Sequence, residues 1–200
     1  MASILVVCTG NVCRSPLAEG SLRAALRARL GASAPDVASA GTAGWEGSGA
    51  DPASVAAAAE LGVDISDHRA RGLDRDEVSD AALTIGMSRS HRDHLVRLVP
   101  DAASRTFTLK ELVRLVEALP PRDPGGDPDA RLREVVARAD ALRGKGFVGD
   151  QGDEDVADPL GMPFGAFRAV AHDIHSWCGR LAVGLFGRAS VRTGVATDGE

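Results

Sequence analysis

Tyrosine is absent from these 200 residues, and aromatic side chains make up only 4% of them. Any aromatic surface offered to a ligand must therefore come from two tryptophans and five phenylalanines. The three cysteines, two of them close together at Cys8 and Cys13, argue against a disulfide-stapled secreted scaffold. No apolar run approaches the roughly 20 residues of a membrane span, and the N-terminal stretch lacks the form of a secretory signal. A cytoplasmic protein without a membrane partner is the expectation. Lysine and arginine total 23 against 28 acidic residues, a net charge of −5, which leaves no basic field for nucleic acid. Two hundred residues suit one domain with a full hydrophobic core.

What the chain does have lies in its first sixteen residues. The apolar run Ile4-Leu5-Val6-Val7 leads into Cys8-Thr9-Gly10-Asn11-Val12-Cys13-Arg14-Ser15-Pro16. A thiol at the end of a predicted strand is followed by a short loop, an arginine and a helix start. Cysteine attacks only as its thiolate, so such a site must favour an anion. Backbone N–H groups of the loop can form an anion-binding nest, and the N-terminus of the following helix adds its positive end. Pro16 suits the first helical turn, where an N–H has no intrahelical partner. Arg14 brings a planar fork matched to two phosphate oxygens. The Ser15 hydroxyl can donate to the thiolate, and Gly10 permits dihedrals closed to other residues. A tetrahedral dianion is the natural occupant. The competing reading of Cys8, a buried strand cysteine acting as a small hydrophobe, would suit a lone cysteine better than one in this setting.

The segment C-T-G-N-V-C-R-S-P resembles the phosphate loop of the low-molecular-weight protein-tyrosine phosphatases. The resemblance continues in the family's order through Ser39-Ala40-Gly41-Thr42 with Trp45, through Asp67-His68-Arg69-Ala70-Arg71, and through Asp158-Pro159. It implies that Cys8 is the nucleophile, Arg14 the phosphate clamp and Ser15 a partner of the thiolate. Thr9, Gly10, Asn11, Val12 and Cys13 would complete the phosphate-binding loop. Asp158 would be the general acid and then the base, and Ser39 and His68 would support the loop. Val12, Trp45 and Leu160 would shape the substrate cleft. No metal or other cofactor is implied. Val156-Ala157-Asp158-Pro159-Leu160-Gly161 reads as a short apolar turn that would disfavour the charged carboxylate. Cys13 could form a reversible disulfide with Cys8, as family members with this second cysteine do. Cys178 reads as a core residue.

Strands are predicted at 4–8, near 37–39, at 82–87 and at 105–109. Helices are predicted at 17–30, 52–61, 89–98, 110–118 and 164–185. The alternation predicts a parallel sheet covered on both faces, and the resemblance makes it flavodoxin-like, a three-layer α/β/α fold with four parallel strands. Residues 119–152 depart from the family's usual length. They read as a breaker-rich linker followed by a helix at 129–143, an insertion inside a single domain spanning 1–188. The polar tail 189–200 reads as disordered.

The leading expectation is hydrolysis of phosphotyrosine in a phosphorylated protein substrate. Val12 favours it, because tyrosine-directed members usually carry an apolar β-branched residue there and arginine phosphatases carry threonine. The segment Thr106-Phe107-Thr108-Leu109-Lys110-Glu111 and the tyrosine-free acid loop look more like the arginine phosphatases. Without tyrosine, aromatic walls fall to Trp45 and to Phe164 or Phe167. Thiol-dependent arsenate reduction would need two more relay cysteines, and only Cys178 remains outside the loop. A phosphoprotein-binding module without activity is the third reading. Nothing in the sequence sets an oligomeric state.

Overall fold

The structure, a computed structural model, describes residues 3–120, 126–146 and 154–187. Four strands, β1 (Ser3–Cys8), β2 (Asp36–Gly41), β3 (Leu83–Gly86) and β4 (Thr106–Thr108), pair in parallel in the order β2-β1-β3-β4. The seven helices among the described residues are α1 (Arg14–Leu30), α2 (Pro52–Ala59), α3 (Arg75–Asp80), α4 (Arg89–Leu98), α5 (Leu109–Ala118), α6 (Pro128–Gly144) and α7 (Phe164–Phe186). This is the expected flavodoxin-like arrangement.

The alternation along β1 explains the layers. Ile4, Val6 and Cys8 join the larger core with α1, α5, α6 and α7, while Leu5 and Val7 pack with Val78 of α3 and Leu95 of α4 on the opposite face. Side chains of a strand point alternately to its two faces, so a strand covered on both sides is apolar throughout. From β1 the chain crosses to β2 on one side and later to β3 on the other. The C-terminal end of β1 is therefore the point where strand order reverses, which is where open parallel sheets place ligands. Cys8 stands there, level with Gly41 of β2.

Two elements differ from the sequence expectation. α1 begins at Arg14 rather than at residue 17, because its first turn carries site residues and not the apolar stripe. α3 was not expected: it is only six residues long and buries only Val78, too little for a periodic signal. Its cap is legible in retrospect, since the Asp74 carboxylate accepts from Asp76 N.

The helix expected inside residues 119–152 forms as α6, capped by Asp127 with Pro128 in its first turn. It buries Leu132, Val135, Val136 and Ala139 in the larger core. Arg143 secures its end, lying 4.2 Å over the Phe107 ring and donating to Thr106 O and Ala103 O. Parts of its expected linkers, and the tail 189–200, lie outside the described residues.

Candidate active site

Between the end of β1 and the start of α1 the chain has five residues, 9–13, in which to turn. Asn11 makes the turn possible at φ 56°, a left-handed conformation that asparagine tolerates better than most residues. The carbonyls then fix which way the peptides face. Cys8 O accepts from Thr42 N at 2.9 Å, Thr9 O from Ala43 N at 3.0 Å and Gly10 O from Trp45 N at 3.0 Å. Asn11 O accepts from His68 Nε2 at 2.8 Å, and Val12 O from Asp51 N at 2.8 Å. A planar trans peptide points its N–H opposite to its carbonyl, so carbonyls tied outward turn the loop's N–H groups inward. The result is an anion nest continued by the unpaired N–H groups of α1. The second loop can approach this closely because of Gly41, where a Cβ would lie 2.4 Å from Thr9 O.

Asn11 is the hub beneath Cys8. It is fully buried, donating from Nδ2 to Ser15 Oγ at 2.9 Å and to Ser39 Oγ at 2.8 Å, and accepting at Oδ1 from Arg71 N at 3.0 Å. Ser39 Oγ passes its own hydrogen to Glu19 Oε2 at 2.6 Å. Ser15 Oγ, having accepted from Asn11, has its hydrogen free for Cys8 Sγ, 3.0 Å away, when that sulfur is a thiolate. Ser39 and His68 both bond to Asn11, one at its side chain and the other at its carbonyl. Glu19 was missed, because on the sequence it reads only as an i,i+4 ion-pair partner of Arg23, which it also is. His91 was missed as well. Its Nε2 lies 2.9 Å from Thr9 Oγ1.

Arg14 is 7% exposed. Its Nη2 donates to Asp158 Oδ2 at 2.6 Å and its Nη1 to Val156 O at 3.2 Å. Its buried Nε has no hydrogen-bond partner among the described residues, and a phosphoryl oxygen would satisfy that donor. Asp158 thus reaches the site directly, but not as expected. Its side chain is 48% exposed and rests on a guanidinium, so the apolar surroundings inferred from the sequence are absent. The flanking residues are apolar, yet Leu160, Met162 and Phe164 turn outward to solvent.

The other expected cleft residues divide. Trp45 is half-exposed, with its indole over Gly10, where a Cβ would lie 3.4 Å from Nε1. Leu160 is exposed beside Asp158 and its N–H donates to Asp158 Oδ1 at 3.2 Å. Val12 departs from expectation: it is buried in the larger core and shows little side-chain surface to the cleft. Phe164 is exposed, whereas Phe167 belongs to the core. All three cysteines are free. Burial pushes the Cys13 thiol up to about 11 and the Cys178 thiol up to about 12, so neither is a thiolate near neutral pH.

A thiol, a nest of inward N–H groups, a guanidinium with an unfilled donor and a carboxylate thus meet at the end of β1. The sequence model for low molecular weight phosphotyrosine protein phosphatases matches residues 3–145. The chain belongs to that family. A probable low molecular weight protein-tyrosine-phosphatase of Erwinia amylovora, AmsI, is 37% identical over 137 residues, covering 68% of this chain and 91% of that protein. A protein-arginine-phosphatase of Geobacillus stearothermophilus is 30% identical over 179 residues, covering 90% and 93% respectively. The crystal structure of the Erwinia amylovora phosphatase superposes with a TM-score of 0.66 at 28% identity, covering 92% of this chain and 94% of that one. The family match stops before the acid loop, so Asp158 enters the phosphatase site on geometry, through its contact with Arg14.

Proposed function

We propose that this phosphatase hydrolyses phosphotyrosine in proteins through a cysteinyl-phosphate intermediate. The observation that carries the reading is the outward tethering of the loop carbonyls around Cys8, which builds a dianion site at the nucleophile itself. In the first step Cys8 Sγ attacks phosphorus. The bond to the ester oxygen breaks, and Asp158 delivers a proton to that oxygen. In the second step Asp158 takes a proton from water, whose oxygen attacks phosphorus. The phosphorus–sulfur bond breaks, and the departing thiolate accepts from Ser15. Arg14 and the loop N–H groups hold the equatorial oxygens in both steps. One carboxyl group suffices because the proton it loses in the first step returns in the second.

The substrate side chain is read from the walls. Trp45 supports phosphotyrosine with an aromatic face at the rim. Val12, buried beneath the loop, is no wall of the cleft and bears on the choice only through its likeness to the residue of tyrosine-directed members. Protein-arginine phosphatase is the second reading. It is favoured by the tyrosine-free acid loop and by the Geobacillus relative, which aligns over more of this chain than the Erwinia one does. The proposal also treats residues 1–188 as one phosphatase domain with 119–152 inserted, working in the cytoplasm, where free thiols persist. No helix among the described residues is long and apolar enough to cross a membrane.

Matched phosphotyrosine and phosphoarginine peptides, assayed with native protein, Cys8→Ser and Asp158→Ala, test the reading. Faster hydrolysis of the phosphotyrosine peptide, lost in Cys8→Ser, is expected. A preference for phosphoarginine would overturn the substrate, and activity surviving in Cys8→Ser would overturn the mechanism.

A further inference from the structure

The carbonyl tethers of the phosphate loop come from residues 42–51 and His68, on the β2 side of the sheet. The opposite flank, facing β3, is held differently. There His91, in the first turn of α4, is buried at 5% exposure with both ring nitrogens engaged. Nδ1 lies 2.7 Å from Ser88 Oγ, the cap of α4, and Nε2 lies 2.9 Å from Thr9 Oγ1. Ser88 Oγ also accepts from His91 N at 3.4 Å, so the cap and the ring position one another. The approach depends on Gly86, where a Cβ would sit 3.1 Å from His91 Cβ and 2.7 Å from Arg92 N. This is more construction than a core histidine needs, and it ends on the residue after the nucleophile.

We infer that His91 is a positioning residue of the phosphate site, fixing the Thr9 side chain and with it the first peptides of the anion nest. Thr9 is then gripped from two sides, its carbonyl by Ala43 N and its hydroxyl by His91. A rotation of that peptide would swing an N–H away from the dianion, so the grip acts on phosphate affinity and on the transition state together. The charged and titratable groups facing the ring are Arg14, Asp158, Asp155 and His94. Burial, with the Arg14 charge second, holds the imidazole down at about 4, so it is neutral at working pH and adds no rival cation beside the guanidinium.

The shape of the ring suggests the variants. Gln carries its terminal atoms at the reach of Nε2, whereas Asn reaches only as far as Nδ1. The inference rests on the phosphatase reading for its kinetic readout but not for its binding readout, inorganic phosphate affinity by calorimetry. That separates its failure from a failure of the function. His91→Asn and Thr9→Val should each weaken phosphate binding and lower kcat by about tenfold, and the double variant should be no worse than the poorer single one. His91→Gln should stay within about threefold of native. Melting temperatures identify any variant that fails to fold, and Thr9→Val alone then decides. Native phosphate affinity in a folded His91→Asn or in Thr9→Val would overturn the assignment, as would losses that multiply in the double variant.

Discussion

The phosphate loop and the acid loop meet at Arg14, yet they are held in different ways. From Cys8 to Val12 each backbone carbonyl accepts a bond from elsewhere in the fold, and Asn11 beneath them is fully buried. The acid loop is anchored at its start: Val156 N donates to Met87 O at 2.8 Å, Lys110 Nζ to Asp155 O at 2.9 Å and Thr108 Oγ1 to Glu154 Oε2 at 2.9 Å. Beyond Val156 it runs over the surface, with Asp158, Leu160, Met162 and Phe164 exposed. The contrast separates two tasks. Holding a dianion needs donors that do not relax, because preorganised dipoles lose nothing to reorganisation during reaction. In the proposed mechanism, delivering a proton needs only one carboxylate on a loop with a fixed root, and the rest of that loop can stay at the surface.

Breaking the loop should cost more than breaking the rim. Cys8→Ser should reduce turnover by more than about 10⁴-fold, measured with an aryl phosphate, because a neutral hydroxyl attacks phosphorus far more slowly than a thiolate and leaves it far less readily. Asp158→Ala should lower kcat by about 10²–10³-fold for a phenolic leaving group. The loss should shrink for p-nitrophenolate, which needs little help from an acid. Asn11→Ala removes the hub shared by Ser15, Ser39 and Arg71 N. It should cost about 2–4 kcal/mol in chemical denaturation along with about tenfold in kcat. Val12→Thr should move the phosphotyrosine-to-phosphoarginine ratio several-fold toward phosphoarginine and destabilise by about 1–2 kcal/mol, since it buries a hydroxyl. An unchanged ratio would assign selectivity to the exposed rim instead.

The last effect is on stability against pH and leaves the chemistry at neutral pH untouched. The His91 value falls from 6.5 to about 4 on folding, so between those values the unfolded chain binds the extra proton. Its contribution is therefore complete above pH 6.5 and is lost as pH falls through about 4. The full span is on the order of 3 kcal/mol. Urea melts of native protein and His91→Gln across that window should show the shallower slope in the variant.

The β1 strand, the loop chemistry and most helices were legible because each leaves a local mark: an apolar run, a thiol and guanidinium at fixed spacing, an amphipathic period. Ser39 and His68 were legible only through resemblance, since nothing local says that a serine in β2 will meet an asparagine in the first loop. Glu19 and His91 escaped for the same reason. Each sits on a helix where an acid or a histidine reads as an ordinary surface or core residue, and its partner lies across the sheet or along a hydrogen-bond chain. The burial of Val12 and the exposure of Asp158 escaped because alternation in a five-residue turn carries no face. An apolar stretch such as 156–161 reads as buried until the fold shows that most of it faces outward.

The proposed phosphoenzyme on Cys8, resolved by Asp158, can be caught in one experiment. Asp158→Ala protein turning over p-nitrophenyl phosphate should still form the intermediate, because that leaving group departs without an acid, but should hydrolyse it slowly for want of a base. Samples quenched in alkaline denaturant, where a phosphorothiolate persists, and analysed by intact mass and peptide mapping should carry one added phosphoryl group on the peptide containing Cys8. Continued turnover with no phosphoryl group on that peptide at any quench time would contradict the account.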